Sequence, residues 1–382
     1  SAARPGVCDT FQMSDEPAGA PRPSRPRRRV WLTVALTQVV LAALTVGGVS
    51  VAYGTLNGNI DDGEDILHQV QKAGAGIDSG PTEPLNILVL GSDSRSGEGN
   101  DIDGLGDIGE RADTTILVHV SADRSNAYGV SLPRDAIVDR PDCTDADGQT
   151  VPGESQVMFN TAFSVGGAQC TVQMVEALTG IYVDHFVVVD FNGFKDMVEA
   201  INGVEVCIPR EVDDPEHDIF LPAGVQTLTG QDALNYVRER SILSATGDIG
   251  RMRRQQAFIA SMINKVKSAG ILSQPLSIFG FLNAATSSIA VDAELDTVGK
   301  LADLATEFRN TGLSDIKFIT VPIAEYPLDP NRLIWTEEAD ALWQRIQEDQ
   351  QLGKDFSETS IGADDSVGTV DEPTDPAEPT AP

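Results

Sequence analysis

The 382-residue chain carries 27 lysines and arginines against 58 aspartates and glutamates, a formal net charge of −31. The first 53 residues hold six basic and three acidic side chains, which leaves 21 basic and 55 acidic beyond them, a net of −34. Such a body excludes nucleic-acid binding through a general basic surface, and any anionic ligand has to be drawn into a local basic pocket against the overall field.

In chain order, residues 1–29 are rich in Pro, Ala, Ser and Arg, lack a hydrophobic period and end in Arg22, Arg25, Arg27, Arg28 and Arg29. They read as a disordered basic tail. Residues 30–53 then run for 24 positions without a charge, long enough to span a bilayer. The arginines ahead of the run place the N-terminus in the cytoplasm and the body outside. A cleaved signal peptide is the rival reading, and the run is long for one. Residues 54–84 form a polar connector with a short helix expected around 65–73.

The globular pattern starts at residue 85 and is expected to end near 350. Strands are predicted at 86–90, 114–121, 126–132, 185–190, 203–208 and 315–322. Helices are predicted at 171–178, 192–201, 231–237, 250–269, 275–285, 295–310 and 337–347. Residues 136–158 read as a long irregular loop. Strands mixed with helices point to a central sheet covered by helices. Residues 351–382 are expected to be a disordered acidic tail, since from Phe356 on there are seven acids and no base.

Of the four cysteines, Cys8 precedes the apolar run, and none sits in a CxxC or zinc-type spacing. Cys143 and Cys170 flank one loop-rich insertion and are the preferred disulfide pair, with Cys207 left over. Three buried free thiols are the alternative.

Four constellations carry candidate chemistry. Residues 91–95 (GSDSR) follow the first strand, where α/β sheets place ligands. Residues 111–115 (RADTT) enter the second, and two carboxylates at neighbouring strand ends, Asp93 and Asp113, suit a shared hard cation such as Mg²⁺. Residues 131–135 (SLPRD) end the third strand and offer Arg134. Residues 238–256 gather five arginines, Arg238, Arg240, Arg251, Arg253 and Arg254. Arg238 and Arg240, two apart, share a face if extended. Arg251, Arg254 and Gln255 share one face of a helix that Asp248 can cap, while Arg253 points away to solvent. Planar guanidinium forks suit phosphate. Each constellation also has a bland reading: turn chemistry, a strand-edge residue, a surface ion pair, a solvated helix face. The four histidines read as satisfied structural groups, and no GxSxG or Walker A pattern is present.

The ordered series at 86–95, 111–117, 131–135, 159–167, 185–194, 221–240 and 248–256 resembles the successive motifs of the LytR-CpsA-Psr family. That resemblance implies an α-β-α sandwich with a central mixed sheet outside a single N-terminal transmembrane helix. It also implies transfer of a glycopolymer from a polyprenyl pyrophosphate carrier to a peptidoglycan hydroxyl. By the same resemblance Asp93 and Asp113 correspond to Mg²⁺-associated acids. Arg111, Arg134, Arg238, Arg240 and Arg251 correspond to arginines on the pyrophosphate, Asp248 and Gln255 to the groups that position them, and Arg95 to the motif arginine. Asp113 or Asp248 is the expected proton acceptor. The expected partners are the lipid-linked polymer, the peptidoglycan acceptor and the membrane. A phosphohydrolase or a non-catalytic, membrane-anchored lipid-binding regulator are the alternatives.

Overall fold

The computed structural model describes residues 27–60, 63–72, 83–92, 112–215, 219–239, 243, 248–268 and 275–365. The chain divides into two compact units, Ser1–Val51 and Ala52–Pro382. Within the first, the described residues form one apolar helix with exposed side chains, α1, whose full extent is Arg27–Asn57. Its uncharged stretch Val30–Asn57 is long and apolar enough to cross a membrane. The helix runs four residues beyond the expected end at 53, because nothing from Gly54 to Asn57 (GTLN) stops it.

The second unit is built on a mixed sheet of seven strands. In chain order they are β1 (Leu85–Ser92), β2 (Ala112–Val120), β3 (Ala127–Ser131), β4 (His185–Val189), β5 (Ile289–Val291), β6 (Ile316–Thr320) and β7 (Ile361–Gly362). Across the sheet the order is β5-β4-β1-β2-β3-β6-β7. The pairs β1–β4 and β3–β6 are parallel, and β1–β2 and β2–β3 are antiparallel. The C-terminal ends of β1, β3, β4 and β6 therefore meet the N-terminal end of β2 along one edge.

Side-chain alternation sends Leu88, Leu90, Leu117 and Val130 to one face of the sheet. That face is covered by α2 (Thr161–Thr179) and by the C-terminal helix Glu337–Gln347, through Val172, Val175, Leu342, Trp343 and Ile346. On the other face Val120, Ala127, Ile316 and Phe318 meet Ala257 and Ala260 of the long helix Asp248–Ser268. Helix, sheet and helix thus form three layers, as the resemblance implies. Phe318 lies so close over β3 that a Cβ on Gly129 would come within 2.5 Å of its ring. A second core gathers α3 (Phe191–Ala200), α4 (Gly230–Arg238) and the antiparallel ribbon Val204–Ile208 with Gly224–Leu228. The long helix Asp248–Ser268 is hereafter α5, and Phe258 carries it into this second core.

Several expectations are corrected. Residues 65–72 are not helical. They are strapped to the body as irregular chain with a bend at 69–70: the Leu67 carbonyl accepts from Gln169 Nε2 (3.1 Å) and Gln173 Nε2 (2.7 Å), and the buried Glu176 carboxylate accepts from Gln69 N (2.6 Å) and pairs with His68 Nδ1 (2.7 Å). Backbone groups paid for by side chains outside the segment leave it no need of helix bonds. The loop at 136–158 contains two ribbons, Ile137–Arg140 with Glu154–Met158 and Cys143–Thr144 with Thr150–Val151. α2 begins ten residues before the predicted 171 and breaks its helical geometry at Gly166 and Gly167. Gly167 has φ 63, and a Cβ on Gly166 would lie 2.6 Å from Cβ of Cys170. Cys143 and Cys170 form a disulfide; Cys207 is free. The acidic tail starts later than expected. Lys354–Ser357 is helical and β7 adds to the sheet beside β6, burying Ile361 and Ala363.

Ending the chain after residue 350 is therefore expected to destabilise the body by about 2–4 kcal/mol, the worth of the buried Ile361 and Ala363 together. Ending it after 365 should leave urea unfolding within error of the full chain.

Candidate active site

The sheet edge described above is where the candidate residues collect. β1 ends at Gly91 and Ser92, registered on Thr114 and Ala112 at the start of β2. Asp113 lies between those two partners. β3 ends at Ser131, and the chain turns through Leu132 and Pro133 to Arg134, whose carbonyl is held by Asn160 N at 3.1 Å. Proline has no N–H to offer a ladder, so the strand stops here. Asp113, Thr114, Thr115, Ser131, Leu132 and Arg134 line one side of a cleft, and Arg251, Met252 and Gln255 of α5 line the other.

Four of these charges alternate in a chain. Arg134 Nη1 donates to Asp113 Oδ1, and Arg134 Nη2 donates to Asp248 Oδ1 at 3.4 Å. Arg251 Nη2 donates to the other oxygen, Asp248 Oδ2, at 2.7 Å. Arg134 Nε faces Asp135 Oδ2 at 3.4 Å, and Asp135 in turn accepts from Arg332 Nη1 at 3.1 Å. Burial of the Arg134 guanidinium works against its charge, but the carboxylates of Asp113, Asp248 and Asp135 outweigh that cost and raise its pKa. Arg251 is 1 % exposed, so its charge is withdrawn from water and concentrated on the cleft.

Asp248 differs from the expectation. It is the first residue of α5, not a residue ahead of it, and it uses its two oxygens on arginines. Gln255 lines the cleft as expected and donates to the Val237 carbonyl at 3.2 Å, which ties α5 to α4. Arg254 does not share the cleft face with Arg251. It turns into the interior, where Nη2 donates to the Glu239 carbonyl and lies 3.7 Å from Glu239 Oε2. A spacing of three along a helix leaves a 60° divergence, and a buried carboxylate on one side decides it. Arg253 is half-buried rather than solvated.

Arg238 is also placed differently. It stands in the last turn of α4, not in an extended segment, and its guanidinium lies 4.5 Å from the centre of the Phe191 ring. It is not among the residues lining the cleft. Asp93, Arg95, Arg111 and Arg240 lie outside the described residues.

Three positioning residues were not anticipated. Glu239 sits between Arg238 and Arg240 in sequence and looks like one more surface charge, yet its side chain is 2 % exposed. Gln256, 2 % exposed, donates from one amide nitrogen to Ser131 Oγ and to Thr320 Oγ1, both at 2.9 Å. Arg332 comes from a hairpin far along the chain, Ile323–Tyr326 with Asp329–Trp335. Only Gln256 had a usable signal, since polar residues at consecutive positions 255 and 256 cannot both face solvent on a helix that buries two sides.

Removing the Glu239 carboxylate takes a buried counter-charge from Arg254 and the acceptor from Leu243 N. Glu239→Ala is expected to cost about 3–5 kcal/mol in urea unfolding, while the exposed Glu338→Ala should stay within about 0.5 kcal/mol of the parent.

Comparison with known proteins shows the family of the chain. The model of the LytR_cpsA_psr family matches residues 53–350. Cell wall biosynthesis protein LcpA of Corynebacterium glutamicum is 33 % identical over 309 residues, 74 % of this chain and 56 % of LcpA. The chain thus spans just over half of that relative's length. Polyisoprenyl-teichoic acid–peptidoglycan teichoic acid transferase TagT of Bacillus subtilis is 28 % identical over 261 residues, 65 % of this chain and 74 % of TagT. Among solved structures, protein gbs0355 of Streptococcus agalactiae superposes with a TM-score of 0.58 at 23 % identity, covering 71 % of this chain and 90 % of that one; the likeness is one of fold.

Proposed function

Since the chain belongs to the LytR_cpsA_psr family, we propose that it is a phosphotransferase that moves a glycopolymer from a polyprenyl pyrophosphate carrier to a hydroxyl of peptidoglycan. The observation that carries this reading is the alternating chain Asp113–Arg134–Asp248–Arg251 at the sheet edge. Two guanidinium groups are oriented by one carboxylate between them and face one cleft. A planar fork of donors on each suits the equatorial oxygens of a phosphoryl group. Relatives such as TagT, named for transfer of teichoic acid to peptidoglycan, support the reaction class. The apolar helix Val30–Asn57 supports a membrane-anchored enzyme, and the arginines ahead of it favour a body outside the cell.

The bond that breaks joins the polymer-bearing phosphorus to the oxygen of the carrier phosphate. The bond that forms joins the same phosphorus to the acceptor oxygen, and the acceptor's proton passes to a carboxylate, Asp113 or Asp248. Arg134 and Arg251 hold the pyrophosphate and neutralise the charge that builds on the departing carrier phosphate. Arg251, buried and paired with Asp248, needs little reorganisation to do so. Asp113 lines the cleft with hard oxygen donors, while Asp93, its expected companion, lies outside the described residues. This donor chemistry fits Mg²⁺. When bound there, Mg²⁺ supplies further positive charge against the pyrophosphate oxygens.

The test supplies the full chain in detergent with a pyrophosphoryl-lipid-linked glycopolymer, Mg²⁺ and an acceptor glycan. Polymer joined to glycan is expected. Release of polymer to water alone would point to a phosphohydrolase, and binding of the lipid without turnover to a regulator. Arg134→Lys keeps the charge but loses the fork, and should lower the transfer rate by about 10²–10³ with urea unfolding little changed. Chelation of divalent metal should abolish turnover, and readdition of Mg²⁺ should restore it.

A further inference from the structure

The hairpin Ile323–Tyr326 with Asp329–Trp335 follows β6, and its second strand runs beside the cleft. Side chains alternate along that strand. Leu333 is buried in the same core as Leu342 and Trp343, and Trp335 packs on Phe159 and Trp343, with ring centres 6.3 and 5.4 Å away. Leu333 N donates to the Asp135 carbonyl at 3.4 Å, and Leu333 forms a parallel bridge with Ala136. Residue 332 therefore leaves by the face opposite the core, level with Asp135.

Asp135 is shared between two arginines. Its Oδ2 lies 3.4 Å from Arg134 Nε, and its Oδ1 accepts from Arg332 Nη1 at 3.1 Å. One carboxylate thus stands between two guanidinium groups and offsets one of the two positive charges. Arg332 Nε lies 3.8 Å from Asp329 Oδ2, too long for a hydrogen bond. Among the described residues, Arg332 Nη2 donates to no protein group. The side chain is 35 % exposed, against 15 % for Arg134. Arg124 shows how a purely structural arginine of this chain is used. Its Nε goes to Glu307 and its Nη1 to the carbonyls of Glu83, Ser121 and Ala122. Arg332 instead keeps one edge of its fork toward water, one carboxylate out from Arg134.

We infer that Arg332 is a second anion contact for the substrate, gripping a carboxylate or phosphate that lies one group beyond the pyrophosphate. The inference rests on the transfer reading above for the identity of that substrate. Two sources carry such a group: the polymer beyond its linkage phosphate, and the acceptor, whose peptides bear carboxylates. A body of net −34 repels both at a distance, so a cation at the rim of the cleft acts where that repulsion has to be overcome. Arg134 and Arg251 serve the pyrophosphate that every donor shares, and Arg332 selects among substrates by the charge next to it.

The test is titration calorimetry on the full chain in detergent at one fixed free Mg²⁺ concentration. It compares inorganic pyrophosphate with inorganic tripolyphosphate, which adds one charged group, and reads the ratio of the two affinities. Arg332→Gln keeps a donor for Asp135 and loses the charge, and should lower the ratio about tenfold. Arg332→Lys restores the charge without the planar fork, and should leave the ratio about threefold below the parent. A residue that only supports Arg134 moves both affinities together. A ratio unchanged in Arg332→Gln therefore overturns the inference. Pyrophosphate that fails to bind the parent chain overturns the transfer reading, and the inference with it. Turnover then separates the two sources. With the anion on the acceptor, Arg332→Gln raises KM for a glycan with free carboxylates and not for the same glycan amidated. With the anion on the polymer, KM for the donor rises whichever acceptor is used. Unchanged KM for both substrates overturns the inference. Should Arg332→Gln fail to fold, the threefold fall with Arg332→Lys decides in its place.

Discussion

The side-chain amide of Gln256 lies between the sheet and α5, donating to the hydroxyls of Ser131 and Thr320 at the ends of β3 and β6. Those two strands are parallel neighbours, so their ends are level, and one amide can reach both. The contact fixes where α5 stands against the sheet edge. Arg251 and Asp248 lie one and two turns nearer its start, and Asp248 reaches both Arg134 and Arg251 only because that position is fixed. The contact is buried, so its donors are strong and its loss would be costly. On the opposite side, Arg254 with Glu239 and Gln255 with Val237 hold α5 to α4. The cleft is one wall of sheet and one wall of helix, and both attachments are polar and dry.

Charge is arranged to suit that frame. A body with a net of −34 repels anions at a distance. Within the cleft the arginines are not free cations waiting for a ligand; Asp248 holds both Arg134 and Arg251. Such pairing offsets the cost of burying two guanidinium groups and keeps their forks oriented. A pyrophosphate then gains the arginines without their having to be gathered. The same economy explains why so many arginines of this chain are not at the cleft. Arg254 serves a buried carboxylate, Arg238 an aromatic ring, and Arg332 the flank of Arg134 through Asp135.

The segment between the apolar helix and the sheet is equally constrained. It is docked against α2, and the Gln173 side chain that caps the Leu67 carbonyl also accepts from Thr144 N, beside the Cys143–Cys170 disulfide. The disulfide loop, α2 and the docked segment thus share hydrogen bonds. At the other end Asn57 and Asn59 hydrogen-bond to the helices Val298–Glu307 and Pro275–Thr286.

Much of this chain could be read in its residues. The uncharged run of α1 admits little but a bilayer-length helix, the central strands show themselves as short apolar runs halted by glycine or proline, and the motif order at the strand ends marks the family. Cys143 and Cys170 flank one insertion, which made them the preferred pair but left free thiols open; the bond itself belongs to the fold. Local pattern has no access to what depends on distant partners. Residues 65–72 look helical in isolation and are irregular instead, with α2 side chains supplying hydrogen bonds. Ile361 and Ala363 sit in an acidic, proline-rich stretch and become sheet because β6 presents an open edge. Arg251 and Arg254 are equivalent by spacing, but Asp248 holds one at the cleft and buried Glu239 pairs with the other inside. Periodicity tells which residues share a face; only packing tells what that face meets.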